Sequence, residues 1–581
     1  MKRLFTSLVC LVLLTFSGAA QTKWYSPVSG DTLLIQGRAW NAEIGKSYQR
    51  MPERFKPSLR KPLWNLSQNN AGLYIEFISD APEINIHYKV SGPLQLPNVV
   101  TIATSGVDLY SFDEDGTPLP CSCFANNRIS SQSVDFHYRG LTYPGGLWRE
   151  YRLYLPLYNT VDSLQIGVPQ NSKFEFLPTS TERPIVVYGT SIGQGASASR
   201  PGMAWTNIVQ RQLDLPLYNL AFSGNGRLEK AMFNALSEIN ARLFIIDCMP
   251  NMTANDSIMN LLREGVNTLR SKSDAPILLV EHCGYNNYLV VHSEKKEVEL
   301  LNSRLKAAYL QLQREGVKGL YYLTKDELGV NSDLDSQIDG VHANDIGMRH
   351  YAEAYTKKIS EILDYQPMKK FMPVRQTRDQ AFYNWSQRHY EIMQRNRQVK
   401  PDVVLIGNSI THYWAGEPAA PIHRGDKAWK KLFGKRKVTN LGYGWDRIEN
   451  IFWRLYHGEL DNISPRHIFM MAGTNNIGYN TDEEIVDGIE GLVNLIQKLQ
   501  PQACIHVVKI YPRRGQEARL QHLNDLLQAR LSNHTDVDVV DVTKQLTTPD
   551  GHIDESLFVD GLHPNAQGYE RIARVYQDFL R

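Results

Sequence analysis

The sequence predicts a multidomain chain: an N-terminal β-sandwich followed by two α/β domains of flavodoxin-like layout, each with a mainly parallel sheet. Three observations predict it. Residues 21–178 alternate apolar and polar in short runs, the runs become wholly apolar and separated by helical spacing from Arg183, and the same order returns after Pro401. A chain of 581 residues accommodates roughly three or four domains.

The first 20 residues have the layout of a secretory signal peptide. Lys2 and Arg3 precede an apolar run from Leu4 to Phe16, and the small residues Gly18, Ala19 and Ala20 follow. That run of about 13 residues is short of the roughly 20 a bilayer span needs. Cleavage after Ala20 and export to the periplasm or the exterior are therefore expected, with no transmembrane segment. Cys10 lacks a good lipobox before it, which disfavours a lipid anchor.

The sandwich, residues 21–178, rests on alternating runs such as Leu73 to Ile78 and Ile84 to Val90, with Gly, Pro, Asp and Asn between them. Within it, the stretch Tyr143 to Tyr154, including Trp148, is a candidate sugar-stacking platform, although such aromatics commonly form core or a domain interface. The first α/β domain, 183–365, has buried-strand runs at Ile185–Tyr188, Leu243–Ile246 and Ile277–Val280, with helices at Ser257–Arg270 and Glu294–Arg314. The second, 401–581, repeats this with Val403–Ile406, Ile468–Met471 and Ile505–Val508 as strands and Glu483–Leu499 as a helix. Between them, residues 366–400 carry eight Lys or Arg and only Asp379 and Glu391 as acids. This stretch reads as a linker followed by a helix docking Phe382, Trp385, His389 and Met393 on the second domain, rather than as a polyanion site.

Composition narrows the function. Lys plus Arg number 63 against 61 Asp plus Glu, and loss of Lys2 and Arg3 with the leader leaves the chain balanced, so no basic field points to nucleic acid. Six cysteines, none in C-x-x-C spacing, make neither a disulfide scaffold nor a zinc site. Cys121 and Cys123 read as ordinary thiols. No metal-ligand or phosphate-loop pattern is present, and no cofactor is expected.

Each α/β copy opens with a strand that ends in a small-residue turn bearing a serine: Gly189-Thr190-Ser191 and Gly407-Asn408-Ser409. That places Ser191 and Ser409 at the carboxyl edge of the sheet, where open α/β folds bind ligands. Near the end of each copy an aspartate stands three residues before a histidine, Asp339 and His342, then Asp560 and His563. The spacing lets the carboxylate hold the near imidazole nitrogen while the far one accepts a serine proton. Serine to histidine is 151 residues in the first copy and 154 in the second. A helix-capping serine and a solvated Asp-Gly turn would not recur at nearly equal spacing.

Two further turns supply candidate oxyanion donors. After the second strand come Asn219-Leu220-Ala221 and Asn440-Leu441-Gly442, each offering a backbone N–H at Ala221 or Gly442. After the third come Asn251 and Asn475, each offering a side-chain amide. With the serine N–H these make three donors.

At these four blocks the sequence resembles the SGNH (GDSL-type) hydrolase superfamily, over about 360 residues in two copies. The first copy, with Gly106-Val107-Asp108-Leu109-Tyr110 ahead of it, is similar to the bacterial subfamily in which a GxDLY module precedes an SGNH domain. The other copy resembles the catalytic subunits of platelet-activating factor acetylhydrolase, through Trp453 to Leu460 and Gly473-Thr474-Asn475-Asn476. Neither copy has Asp before the serine, and Ala221 stands where the second copy has Gly442. The resemblance implies a serine esterase acting through an acyl-serine and, with export, removal of O-acetyl groups from carbohydrate, either plant polysaccharide or host glycan. Lipid or thioester hydrolysis and glycan binding without catalysis are the competing expectations. Oligomeric state stays open.

Overall fold

The computed structural model describes residues 21–30, 34–121, 129–141, 148–288, 290–534 and 536–580. The expected signal peptide and Cys123 lie outside them, as does Tyr143.

The N-terminal part contains two antiparallel sheets. Its strands are β1 (Thr22–Tyr25), β2 (Ile35–Gln36), β3 (Tyr74–Ser79), β4 (Glu83–Val90), β5 (Asp108–Phe112), β6 (Pro118–Pro120), β7 (Ser133–Arg139), β8 (Arg149–Tyr154), β9 (Val161–Pro169) and β10 (Phe174–Phe176). One sheet has the order β1-β9-β4-β7, the other β10-β3-β8-β5-β6 with β2 on β3. Ile84, Ile86 and Ile166 of the first share a core with Ile75, Phe77 and Leu153 of the second. β4 shows the period-2 pattern of a strand with one buried face. Tyr151 and Tyr154 are buried, and Lys173 Nζ lies 5.0 Å over the ring of Trp148. The described part of the stretch read as a stacking platform, 148–154, is thus mainly core, and a cation already sits over its half-buried tryptophan.

In the first α/β domain β11 (Ile185–Gly189), β12 (Leu217–Ala221), β13 (Leu243–Asp247), β14 (Ile277–Val280) and β15 (Leu320–Leu323) run parallel in the order β12-β11-β13-β14-β15. The second repeats it with β16 (Val403–Gly407), β17 (Val438–Gly442), β18 (His467–Met471), β19 (Cys504–Val508) and β20 (Val537–Val540). Helices cover both faces, so the central strands β11 and β16 are buried at every residue and read as continuous apolar runs. Both sheets reverse strand order at the central strand. Gly189 pairs in register with Ala221 and Asp247, and Gly407 with Gly442 and Met471. The serine-bearing turns therefore leave the sheets at the point where a crevice opens.

The segment between the copies ends in a helix, Trp385–Val399, that packs Trp385, His389 and Met393 inward. Phe382 does not join them. It lies in the turn before the helix and is 54% exposed.

Buried charges tie the parts together. Arg375 of this segment pairs with Asp214 of the first α/β domain and with Glu150 and Glu76 of the N-terminal part. Arg152 bridges Glu76 and Asp214 at 2.6 and 2.9 Å, and Trp453 Nε1 of the second domain donates to Asp214 at 3.1 Å. Ion pairs out of water need such mutual satisfaction to persist, which makes the junction demanding in geometry.

Candidate active sites

Ser191 and Ser409 each open a one-turn helix, Ser191–Gln194 and Ser409–His412, and both are buried. In the first copy Ser191 Oγ lies 2.9 Å from His342 Nε2, and His342 Nδ1 lies 2.7 Å from Asp339 Oδ2. In the second the corresponding distances, Ser409 to His563 and His563 to Asp560, are again 2.9 and 2.7 Å. Two separate stretches of sequence thus converge on one geometry. Asp339 Oδ1 also accepts the amides of Val341 and His342, as Asp560 Oδ1 accepts those of Leu562 and His563. That turn orients the carboxylate before any imidazole is added.

The electrostatics follow from this packing. Burial tends to raise the Asp339 and Asp560 carboxyls, but the bonds from the following amides and the histidine hold both below the usual range. Burial lowers His563, and the nearby guanidinium groups of Arg424 and Arg513 reinforce this against the pull of Asp560. A neutral imidazole beside an ionised carboxylate is the resting state such an arrangement favours.

The expected backbone donors need correction. The amide of Ala221 donates to Asn219 Oδ1 at 3.0 Å and that of Gly442 to Asn440 Oδ1 at 2.8 Å, so neither is available to an oxyanion. Both residues end a strand, and the preceding asparagine folds back to close the turn. Further along the same loop, the Ser223 amide donates to Gln194 Oε1 and the Gly444 amide to His412 Nδ1. The Asn225 and Asp446 amides donate to the carbonyls of Phe222 and Tyr443. Between them stand Gly224 and Trp445, whose amides have no acceptor among the described residues. Both have positive φ, 67° and 62°. Each is five residues after its asparagine, an offset shared by both copies that would have located them in the sequence.

Asn251 and Asn475 stand where expected, on the one-turn segments after β13 and β18. Asn251 Oδ1 accepts from the Gly226 amide at 3.2 Å, which leaves its NH2 group without an acceptor among the described residues. Asn475 Nδ2 donates one hydrogen to the Asp446 carbonyl at 2.9 Å and keeps the other.

Parts outside the α/β domains complete both sites. Arg50 donates to the carbonyls of Asn219 and Ala221 at 2.8 and 2.9 Å, and Arg388 to those of Asn440 and Gly442 at 3.0 and 2.8 Å. Each buried arginine thus pegs the strand end from which the donor loop departs. Burial without a carboxylate partner pushes Arg50 down to about 9. Asn98 of the N-terminal part donates to Asp339 Oδ2 at 3.4 Å. At the second site Asp379 accepts from Tyr413 Oη at 2.7 Å, and the Tyr413 ring centre is 5.8 Å from that of His563. None of these four was legible from motif spacing, because each is distant in sequence from the block it serves.

Comparison with known proteins places both α/β copies in one family. Residues 182–360 and 405–571 each match a model of the GDSL-like lipase/acylhydrolase family, and residues 22–174 match that of the N-terminus of Esterase_SGNH_hydro-type proteins. The chain is 30% identical over 219 residues to platelet-activating factor acetylhydrolase IB subunit alpha1 of Pongo abelii, covering 37% of this chain and 89% of that protein. It is 31% identical over 200 residues to subunit alpha2 of Rattus norvegicus, covering 34% and 83%. A Bacteroides ovatus structure described as a GDSL-like lipase superposes with a TM-score of 0.55 at 30% identity, covering 59% of this chain and 98% of that one. With a serine, histidine and aspartate brought together twice on the same sheet topology, the chain belongs to the GDSL-like (SGNH) lipase/acylhydrolase family, as a tandem of two such domains behind a GxDLY module.

Proposed function

We propose that this protein is an exported serine esterase that removes O-acetyl groups from carbohydrates, with both copies active. The observation that carries the reaction type is the duplicated geometry, with serine to imidazole at 2.9 Å and imidazole to carboxylate at 2.7 Å in each copy. Ser409 Oγ attacks the ester carbonyl while His563 Nε2 takes its proton. The charge that develops on the carbonyl oxygen meets the amides of Ser409 and Trp445 and the Nδ2 of Asn475. Collapse expels the sugar alkoxide, which takes the proton back from His563. Water, deprotonated by the same imidazole, then releases acetate from the serine. In the first copy Ser191, His342, Asp339, Gly224 and Asn251 have these roles.

The carbohydrate assignment is supported by the leader-like N-terminus. The N-terminal part, read as a β-sandwich, supports the first site through Arg50 and Asn98. The test is acetate release from 4-nitrophenyl acetate and acetylated xylan by wild type, Ser191→Ala, Ser409→Ala and the double variant. Activity in each single variant and none in the double one is expected. Wild-type rates in the double variant would end the serine-hydrolase reading, and a strong preference for long-chain esters would favour a lipid substrate.

A further inference from the structure

Trp445 combines two features that folding alone does not call for. It is one of eight non-glycine residues with positive φ among those described, a conformation costing about 1–3 kcal/mol for a residue with a side chain. The residue is 53% exposed, and its indole makes no ring contact or hydrogen bond with the described residues. The first copy has Gly224 at the same place, with φ 67° and nothing within 4 Å of where a Cβ would lie. A side chain here therefore enters open space beside the site.

The loop holding Trp445 is rigid. The Gly444 carbonyl accepts from Gln376 Nε2 at 2.8 Å and Tyr383 Oη at 2.9 Å, and the Trp445 carbonyl from Arg378 Nη2 at 3.2 Å. Asp446 is fixed by Arg454 and by Trp385 Nε1, both at 2.8 Å. A second exposed ring, Tyr479 at 70%, stands on the loop just after Asn475, with the Arg447 guanidinium 3.7 Å over its ring. Both loops that bring oxyanion donors to Ser409 thus carry an exposed aromatic side chain, that of Trp445 bare and that of Tyr479 with a guanidinium over one face. The first copy has no ring at Gly224.

We propose that Trp445 is a substrate-binding residue peculiar to the second site, its indole stacking on the apolar face of the sugar ring that bears the ester, with Tyr479 flanking the neighbouring residue of the chain. This rests on the carbohydrate reading above and assigns the two copies different tasks. The second site retains oligosaccharide esters. The first, with glycine at this position, holds the sugar less tightly. Backbone strain at Trp445 is kept because a planar amphipathic ring on a fixed backbone, with only two side-chain torsions to order, binds a sugar at small cost in conformational entropy.

Binding separates this proposal from the esterase reading. In the Ser191→Ala/Ser409→Ala double variant, calorimetry with acetylated xylo-, galacturono- and sialyl-oligosaccharides gives affinity without turnover. Adding Trp445→Gly is expected to weaken the best of these at least 10-fold, while the melting temperature holds or rises because glycine suits the positive φ. Trp445→Phe is expected to recover most of the affinity. Unchanged affinity in Trp445→Gly, no recovery with Phe, or no binding of any of the three by the double variant would overturn the proposal. Acetate release by the single serine variants tests the esterase reading independently.

Discussion

Asp247 offers a quantitative test of how the first site is built. It ends β13 beside Gly189, where the second copy has Met471. The residue is 3% exposed, its carboxylate accepts from Tyr355 Oη at 2.9 Å, and no ion pair reaches it among the described residues. Burial pushes its pKa from 3.8 up to about 7. The folded state then binds this proton more tightly than the unfolded chain, so stability declines as pH rises from about 4 to 7, and the whole penalty is present above that. At about 1.4 kcal/mol per pKa unit, the ceiling is on the order of 4 kcal/mol at pH 8. Asp247→Asn abolishes the ionisation and keeps an oxygen for Tyr355, but adds a buried NH2 group worth about 1–3 kcal/mol if unmatched. The net gain at pH 8 is about 1–3 kcal/mol, a rise in melting temperature of roughly 2–10 °C for a domain of this size. At pH 4.5 the variant is expected to be the less stable of the two. Thermal unfolding of both proteins at pH 4.5, 6 and 8 measures this, and a difference that does not change with pH would refute the reasoning.

Two further predictions concern the second site. In Ser191→Ala, where only that site works, kcat/KM is expected to rise with pH through a midpoint below 6.5, because burial lowers His563 and the reaction needs its neutral form; a midpoint above 6.5 would contradict the electrostatic account. Arg388→Ala removes charged donors from the carbonyls of Asn440 and Gly442, and is expected to cut kcat in Ser191→Ala at least 10-fold while leaving the first site, read in Ser409→Ala, unaltered. A second-site kcat within twofold of the parent would make Arg388 a packing residue only.

The recurrence of local patterns makes the duplicated half of this molecule legible. The strand runs from Ile185, Leu243, Ile277, Val403 and Ile505 appear at or within one residue of the expected starts, because a strand buried on both faces must be apolar throughout. The Asp-x-x-His pairs are equally readable, since the carboxylate is bound by amides two and three residues away. Whatever depends on contacts within a few residues, or on a pattern seen twice, is carried by sequence alone.

The oxyanion donors show where that stops. Ala221 and Gly442 are the small residues at the strand ends, yet which amide is left free depends on where Asn219 and Asn440 fold back, on Gln194 and His412 taking the next donor, and on a positive φ at Gly224 and Trp445. Helical spacing places Phe382 inward, but the helix starts three residues later and leaves it exposed. Arg50, Asn98, Asp379 and Arg388 reach the sites only through packing of the N-terminal part and the connecting segment. The sequence by itself determined the parallel α/β layering, the buried serine at the strand end and the histidine–aspartate pair that meets it, because these follow from local periodicity and short spacing. The tertiary structure alone decided which loop amides are left without an acceptor and what lines each site, because those depend on which polar groups satisfy one another once segments far apart in the chain are brought into contact.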